Sequence, residues 1–397
     1  MPTTTAGASA FTARIGRIES SATMAINNEA ATMRAQGADV VDFGAGEPHF
    51  TTPEHIKQAG IEAIQNNFTK YTAVAGIKEL RDAIAERHKQ DFGSNYSFDE
   101  TIATTGGKSA LFNTFQVLID HGDEVVIPVP YWVSFKDMVE FCGGKCNFIP
   151  TSAEEGFRLT AAMVEKAITP RTRIILLNSP NNPSGAVISP EDLTAIVKLA
   201  ASRGIYVMSD ECYVYLDYTG HSFSVGSLTE YKNSLLLMGS LSKTYSMTGW
   251  RLGYAMAPKG VIDQLQKLQS QSTSNPTSIV QKAAVAALNA SQQCVADMRA
   301  EFMQLRERMV AGLRAIPGVK CNMPEGAFYA FPDVSAPAAR AGIDTGELAS
   351  RLLRQAHVVG VSGEAFGMPG HIRFSYANSA KEIDRGLDRV RTFFASF

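Results

Sequence analysis

The chain has 397 residues, 45% of them hydrophobic, and its formal net charge at pH 7 is −2. This length exceeds what one simple core usually holds and predicts about two domains. The near-neutral charge offers no general attraction to nucleic acid or to an anionic membrane surface. No apolar run approaches the roughly 18 residues of a membrane helix. Any anion must therefore be bound by a local site.

The five cysteines form no CxxC pair, and neither they nor the seven histidines have the spacing of metal ligands. An odd number of cysteines without a disulfide framework is typical of free thiols in a reducing compartment. The sequence therefore predicts a cytoplasmic protein without a metal site. The first 18 residues lack the hydrophobic core of a signal peptide, and we interpret them as an N-terminal arm rather than a transit peptide.

Short apolar runs alternate with longer segments of helical period between about residues 100 and 260. Their continuous apolarity predicts strands that are buried on both faces, as in a mostly parallel sheet wrapped by helices. The predicted strands are Thr101–Thr104, Glu124–Ile127, Arg173–Asn178, Ile205–Met208, Ser234–Met238 and Leu252–Met256.

Helical segments lie between these strands. The stretch Lys108–Ile119 has one apolar stripe, and another helix is predicted to begin at Pro190 with Ser189 as its N-cap. A long charged helix is predicted over Met298–Leu313. The expected fold class is α/β, with a large domain over residues 51–290 and a smaller α+β domain over residues 291–397, which the segment 1–50 joins.

Polar motifs follow five of the predicted strands at or just beyond their carboxyl ends. In an open α/β sheet these ends share one edge, and ligands bind in the crevice there. We therefore expect the motifs to meet in one site. They are Gly106-Gly107-Lys108, Tyr131-Trp132, Asn181-Asn182-Pro183, Asp210–Tyr213 and Ser240–Lys243.

The segment Ser240–Arg251 carries the most informative of these motifs. Lys243 lies on a small-residue loop after a buried strand, where partial desolvation would make its amine nucleophilic and suited to a Schiff base. Ser240 and Arg251 could together bind a phosphate. Taken alone, the motif would better fit a surface lysine beside a Ser/Thr loop. The other polar motifs at the same sheet edge favour the chemical interpretation.

Four further residues have a structural alternative beside the functional one. Asp210 could hold a protonated pyridine nitrogen or cap the next helix. Asn182 could aim an amide into the crevice or form a turn, and Trp132 could stack on a flat ring or pack in the core. Arg373, in the middle of an apolar strand, could bind a substrate carboxylate or an acidic residue of the protein.

The segment Gly106-Gly107-Lys108 opens a helix after a strand and could hold a phosphate on its free N–H groups. It is not a Walker A loop, because position 102 is Ile where that motif has glycine. The segment Gly44-Ala-Gly46 likewise does not continue into GxGxxG, which argues against a dinucleotide site.

Taken together, these residues resemble the pyridoxal-phosphate-dependent aminotransferases of fold type I, class I/II. Within them the chain is most similar to the bacterial-type aspartate aminotransferase branch, which also contains prephenate aminotransferases. The similarity covers nearly the whole chain, and its most specific segments are Gly44-Ala-Gly-Glu-Pro48, Lys70-Tyr71, Gly76-Ile77, Pro130-Tyr-Trp-Val-Ser134, Ser179-Pro-Asn-Asn-Pro183, Thr248-Gly-Trp-Arg251 and Ser272-Thr-Ser-Asn-Pro276.

The resemblance implies a role for each matching residue. Lys243 would form the Schiff base with pyridoxal phosphate and then carry the substrate proton. Asp210 would pair with the pyridine nitrogen, and Tyr213 and Asn182 would hold the ring hydroxyl. The remaining cofactor contacts would come from Trp132, which stacks on the ring, and from the phosphate ligands Gly106, Gly107, Ser240, Arg251 and the Tyr71 of a second subunit in a homodimer.

The same resemblance implies that Arg373 binds the α-carboxylate of the substrate, with Gly46, Trp132 and Asn182 nearby. Animal-type enzymes bind the distal carboxylate with an arginine at the position of Ser270 in this chain. The bacterial branch uses a lysine and two hydroxyl residues that match Lys108, Ser21 and Thr23. Aspartate, glutamate and their 2-oxo acids are therefore the expected substrates, in a ping-pong reaction through pyridoxamine phosphate.

Three alternatives stay open. The enzyme could prefer prephenate or aromatic acids, or could be a C–S lyase, because a few pocket side chains decide substrate scope within one fold. A ligand-sensing regulator without turnover is the third, although no basic DNA-binding segment precedes residue 20.

Overall fold

The structure is a computed structural model that describes residues 11–19 and 22–397. The strands within this part of the chain are β1 Val41–Asp42, β2 Thr101–Thr104, β3 Glu124–Val129, β4 Lys145–Pro150, β5 Thr172–Asn178, β6 Tyr206–Asp210, β7 Leu235–Ser240, β8 Gly253–Met256, β9 Tyr329–Ala330, β10 Val358–Val359, β11 Val361–Ser362 and β12 Ile372–Ser375.

The helices of the described residues lie between these strands and at both ends of the chain. They are α1 Ala22–Ala35, α2 Glu54–Gln65, α3 Lys78–Phe92, α4 Gly107–Leu118, α5 Ser134–Phe141, α6 Ala161–Ala167, α7 Pro190–Ser202, α8 Leu241–Thr244, α9 Lys259–Ser270, α10 Ser278–Asn289, α11 Gln293–Arg314, α12 Ser335–Ala341, α13 Thr345–Ala356 and α14 Ala380–Phe394. None of these helices is long and apolar enough to cross a membrane.

A seven-stranded sheet in the order β2-β8-β7-β6-β5-β3-β4 forms the centre of the fold. Its strands are parallel except β8, which runs antiparallel to both β2 and β7. Strands β2, β7 and β8 are buried at every residue, because helices cover both faces of a sheet of this kind. The prediction of a mostly parallel, helix-wrapped sheet is confirmed.

All six predicted strands are present, with ends that differ by up to two residues. Two of these differences matter, because Asp210 and Ser240 are the last residues of β6 and β7 and do not lie beyond them. The sequence analysis missed β4. This edge strand pairs only with β3 and is largely exposed, so it lacks the apolar run that identified the others.

Helix beginnings follow the expected local chemistry. The Ser189 hydroxyl accepts a hydrogen bond from the Asp192 N–H at 3.1 Å, and Pro190 occupies the first turn of α7, where its missing N–H costs nothing. Helix α4 begins after Gly106, whose φ of +81° is a conformation that side chains other than glycine rarely adopt. This turn places the beginning of α4 beside Ser240, at the end of β7.

A second apolar core lies around the short strands β9 and β12 and the helices α11 and α14. Strand β12 pairs antiparallel with both β9 and β11. It includes Val41 and Phe43 from the beginning of the chain. On this basis we propose that residues 1–50 and 291–397 contribute to one smaller domain and that residues 51–290 form the larger one.

Candidate active site

A cavity of about 350 Å³ opens at the carboxyl edge of the large sheet and reaches the second core. Eleven of the residues singled out from the sequence line it: Gly46, Gly107, Lys108, Trp132, Asn182, Asp210, Tyr213, Ser240, Lys243, Arg251 and Arg373. They come from eight different strands, strand ends or loops, so the fold brings together residues that are up to 327 positions apart (373 minus 46).

One end of the cavity is suited to an anion. A Cβ atom on Gly106 would lie 2.6 Å from a terminal nitrogen of Arg251, and one on Gly107 would lie 3.1 Å from the Ser240 Cβ. The two glycines therefore let the guanidinium and the hydroxyl approach the N-terminus of α4. Arg251 donates one hydrogen bond to the Thr248 carbonyl at 2.9 Å. Free N–H groups, a hydroxyl and a guanidinium are the donors that bind phosphate.

Lys243 lies on the short helix α8, immediately after β7, and not on the loop that the sequence predicted. Its Nζ donates a hydrogen bond to the Gly46 carbonyl. Burial lowers the pKa of this amine; Cys212 and Glu47 oppose the shift, and the charges of Arg251 and Arg373 add to it. A lysine of lowered pKa has a larger neutral, nucleophilic fraction at physiological pH.

Asp210 is buried, and its carboxylate has few partners of its own. One oxygen accepts a hydrogen bond from the Cys212 N–H at 3.1 Å, and none of the salt bridges found in residues 11–19 and 22–397 includes Asp210. Burial raises the pKa of Asp210 to about 7, against the effect of that hydrogen bond. A cationic ligand in the cavity would satisfy this carboxylate.

The helix-cap alternative for Asp210 is wrong. The short 3-10 helix after β6 begins at Val214, and its capping position is occupied by Tyr213. The Cys212 N–H that Asp210 accepts precedes this helix.

Arg373 lies buried in β12 and faces the cavity. Its guanidinium donates to the Asn182 Oδ1 at 3.0 Å and to the Gly44 carbonyl at 2.8 Å, while its Nε has no partner among the described residues. Burial lowers its pKa. The alternative of an intraprotein salt bridge is wrong within the same part of the chain, since the partners of Arg373 are an amide and a backbone carbonyl. Its positive charge is left for a ligand carboxylate.

Lys108 and Trp132 form the outer wall of the cavity. The Lys108 ammonium donates to the Ser134 hydroxyl at 3.2 Å and lies 4.8 Å from the centre of the Trp132 ring. Although the side chain is exposed overall, partial desolvation of the ammonium lowers the pKa of Lys108, and the charge of Arg251 adds to the shift. The Trp132 ring packs edge-on against Phe135 at 5.3 Å, which fixes its orientation.

Two of the predicted residues that the structure describes, Gly106 and Tyr71, do not line the cavity. Gly106 adjoins it through its close approach to Arg251. The side chain of Tyr71 is 93% exposed, and Ser21 lies outside the described residues, as does the side chain of Thr23.

The sequence analysis assigned no role to several lining residues, of which Ser134, Asn178, Cys212, Ser242 and Tyr329 carry polar groups. Ser134 and Cys212 each stand one or two positions from a predicted residue, so proximity in sequence could have found them. Tyr329 lies in an aromatic run, Phe328-Tyr329-Ala330-Phe331, which reads as ordinary core.

The three environments of the cavity fit one ligand. Pyridoxal phosphate has a phosphate for the anion site, an aldehyde that condenses with a neutral amine, and a pyridine nitrogen whose positive charge needs a carboxylate. The orphaned carboxylate of Asp210 and the glycines that admit Arg251 are the observations that support this fit. Fold and site thus define a pyridoxal-phosphate enzyme.

Comparison with known proteins identifies the family. Residues 38–390 match the model of the family described as aminotransferase class I and II, and the chain belongs to this family. It is therefore a pyridoxal-phosphate-dependent aminotransferase with the fold of its type I relatives.

Curated relatives match over almost their whole length. The chain is 41% identical to the aspartate aminotransferase of Bacillus sp. (strain YM-2), with 96% of this chain and 98% of the relative covered. It is 42% identical to the probable aspartate/prephenate aminotransferase of Aquifex aeolicus (strain VF5), with 95% and 97% covered. The solved structure of aspartate aminotransferase from Thermus thermophilus with maleate is 42% identical, with a TM-score of 0.93 and coverage of 97% and 100%.

Proposed function

We propose that the enzyme moves an amino group between aspartate or glutamate and 2-oxo acids, converting aspartate and 2-oxoglutarate to oxaloacetate and glutamate. The observation that carries the proposal is the placement of two cationic groups, Arg373 and Lys108, on the wall of one cavity that also holds Lys243. Two cations match the two carboxylates of these substrates. The names of the relatives support the same choice.

Each residue of the cavity has a task in this reaction. When bound, pyridoxal phosphate supplies a conjugated ring that withdraws electrons from the substrate α-carbon. Arg251, Ser240 and Gly107 would bind its phosphate, together with Gly106. The Asp210 carboxylate would keep the ring nitrogen protonated, because a negative charge nearby favours the charged form.

The remaining residues orient the ring and substrate. Tyr213 and the free amide N–H₂ of Asn182 would hold the ring hydroxyl, and Trp132 would stack on the ring. Arg373 would bind the α-carboxylate, since its guanidinium is already held in place by Asn182 and Gly44. The neutral Nζ of Lys243 would act as a general base that takes the proton from the substrate α-carbon. It would then act as a general acid that returns the proton to C4′ of the cofactor.

Lys108 distinguishes the proposed substrates from the aromatic alternative. Its ammonium is held by Ser134 and Trp132 at the outer wall, and no arginine occupies position 270. We propose that Lys108 binds the distal carboxylate, with Ser21 and Thr23 as the hydroxyl groups that assist it. A chain selective for aromatic acids would gain nothing from a charge at this place, because an aromatic side chain offers it no counterion.

Lys108→Ala is therefore expected to lower kcat/KM for aspartate and glutamate by about 10- to 150-fold, the value of one charge-assisted hydrogen bond. Rates with alanine and phenylalanine should change little, as should cofactor affinity. The measurement is steady-state kinetics on a panel of amino donors and 2-oxo acids that includes prephenate. Lys136→Ala, which removes a lysine from the neighbouring helix α5, is the matched control. An equal fall for all four amino acids with loss of cofactor would assign Lys108 to the phosphate instead.

We also propose that the enzyme is a cytoplasmic homodimer. The five cysteines are all free in the structure, as a reducing compartment requires. Tyr71, with its 93% exposed side chain, would reach the phosphate of the other subunit, and the exposed Ile61 and Ile64 on α2 would lie at the same contact. Large apolar side chains that are exposed together often mark an interface.

Co-expression of Tyr71→Ala and Lys243→Ala chains tests this shared site. If Tyr71 acts across the dimer, each mixed dimer has one intact site, and about a quarter of the wild-type activity should return at limiting cofactor. Lys243→Ala co-expressed with Asp210→Ala is the control, because both residues lie in the same chain's cavity and every mixed site stays defective. Equal activity in the two mixtures would contradict the shared site.

A further inference from the structure

Tyr329 joins the two halves of the cavity. Its phenolic oxygen lies 2.8 Å from that of Tyr213, and its ring lies 4.5 Å from the Arg373 guanidinium carbon. The residue is 1% exposed and belongs to β9, in the second core, whereas Tyr213 follows β6 of the large sheet. A single side chain thus contacts one residue proposed for the cofactor ring and one proposed for the substrate carboxylate.

We propose that Tyr329 is a positioning residue for transamination. Its hydroxyl donates a hydrogen bond to the Tyr213 oxygen and so directs the Tyr213 proton toward the cofactor, and its ring holds the guanidinium of Arg373 in a fixed orientation. The inference rests on the proposed function, in which Tyr213 serves the cofactor and Arg373 the substrate. It adds a residue to that site and gives the hydroxyl and the ring of Tyr329 separate tasks.

The hydroxyl task follows from counting protons. A phenol has one proton to donate, and Tyr213 would direct its own toward the ring oxygen of the cofactor. The Tyr213 oxygen must then accept the hydrogen bond, so Tyr329 is the donor. Burial raises the pKa of Tyr329, with the Arg373 charge and the bond to Tyr213 acting against the shift and Cys212 adding to it. Tyr329 therefore stays protonated at physiological pH. Its hydrogen bond to Tyr213 and the one from Tyr213 to the cofactor form a chain, and each strengthens the other.

The ring task follows from the surroundings of Arg373. The guanidinium lies near two aromatic rings, Tyr329 at 4.5 Å and Phe366 at 5.0 Å, and cation–π attraction holds it there. The hydrogen bonds that the guanidinium donates to Asn182 and Gly44 fix its orientation beside the two rings. Gly46 keeps room for this arrangement, because a Cβ there would lie 3.2 Å from the Tyr329 hydroxyl oxygen.

Two variants separate the tasks. Tyr329→Phe removes the hydroxyl and keeps the ring, whereas Tyr329→Leu removes both. In both variants the Tyr213 oxygen no longer accepts a hydrogen bond from Tyr329. Tyr213 then donates a weaker hydrogen bond to the cofactor's ring oxygen, which is less able to carry negative charge. The pH midpoint of the bound cofactor's absorbance change should therefore rise by about half a unit to one unit. Binding of succinate, a dicarboxylate without an amino group, should weaken roughly 3- to 30-fold in Tyr329→Leu only.

Tyr376→Phe is the matched control. Tyr376 is equally buried in the same core, its hydroxyl donates to the Ala327 carbonyl at 3.2 Å, and it does not line the cavity. This variant should melt at a lower temperature than wild type but keep the wild-type absorbance midpoint and succinate affinity. Melting curves of all three variants are the check that each of them folds.

A wild-type midpoint in Tyr329→Phe, or an equal shift in Tyr376→Phe, would overturn the inference. So would weakened succinate binding of equal size in Tyr329→Phe and Tyr329→Leu, since the ring would then have no task of its own. The absorbance titration needs bound cofactor but no substrate. It therefore decides the hydroxyl role of Tyr329 even if the wild-type enzyme proves inactive with aspartate, a result that would refute the proposed substrate alone.

Discussion

Lys243→Ala is expected to abolish transamination while the fold stays intact. The neutral amine of Lys243 is the proposed acid and base at the substrate α-carbon, and loss of such a group alone costs on the order of 10²–10⁴-fold in rate, before the lost covalent step is counted. The measurement is the steady-state rate of oxaloacetate formation from aspartate and 2-oxoglutarate, with circular dichroism to verify the fold.

The same variant should change the colour of the protein. Wild-type protein purified with its cofactor is expected to be yellow, and the alanine variant should bind the cofactor without the covalent attachment and with a different absorbance maximum. Lys232→Ala is a suitable control, because Lys232 pairs with Glu100 away from the cavity. Near-normal transamination by Lys243→Ala would show that another group carries the proton and that the central assignment is wrong.

Asp210→Ala is expected to bind some cofactor but to lose most activity. Without the carboxylate the ring nitrogen would be largely deprotonated and a poor electron sink. A loss of about 10²–10³-fold in kcat is expected, the range for removal of one preorganised charge-stabilising group. Ordinary rates in this variant would contradict the role proposed for Asp210.

Asp210 also predicts a change of stability with pH. Because burial raises its folded pKa to about 7 from an ordinary 3.8, its contribution to the stability of the cofactor-free protein is fully present below about pH 4 and is lost as pH rises through 7. Cofactor-free Asp210→Asn should therefore withstand heat better than the cofactor-free wild type at pH 8, by an amount on the order of a few kcal/mol. At pH 4 the two should melt alike.

Binding of the cofactor should act in the opposite direction and favour the wild type. The ring nitrogen supplies the positive charge that the buried carboxylate lacks, so cofactor should raise the melting temperature of wild type more than that of Asp210→Asn at pH 8. Thermal melts at the two pH values, with and without pyridoxal phosphate, measure the difference. An Asp210→Asn protein that is less stable than wild type without cofactor at pH 8 would show that the carboxylate has a partner within the protein.

The large sheet could be predicted because its strands are buried on both faces. Continuous apolar runs such as Leu235–Met238 are typical of strands in such a sheet, and their carboxyl ends must share an edge when the strands are parallel. Strand β4 was not predicted, because an exposed edge strand needs no continuous apolar run. The two-residue strands β1, β9, β10 and β11 are too short for any periodicity to identify them.

The candidate site could be predicted where chemistry and position coincide. Lys243, Asp210 and Asn182 are polar residues at the ends of apolar strands, so the change from apolar to polar residues identifies them in the sequence. Tyr329 is an aromatic residue among aromatic residues, and only the fold reveals that its hydroxyl meets Tyr213. For Arg373, the sequence left two kinds of partner open, and the choice depends on Asn182, which is 191 residues away.

The most direct test of the proposed function is a single turnover without an acceptor. Purified enzyme with bound cofactor is mixed with excess aspartate and no 2-oxo acid, and oxaloacetate and ammonia are both quantified. Ping-pong transamination predicts about one oxaloacetate per bound cofactor, no free ammonia, and loss of the yellow colour that 2-oxoglutarate restores with release of glutamate. Continued product formation with release of ammonia, or no oxaloacetate before an acceptor is added, would contradict it.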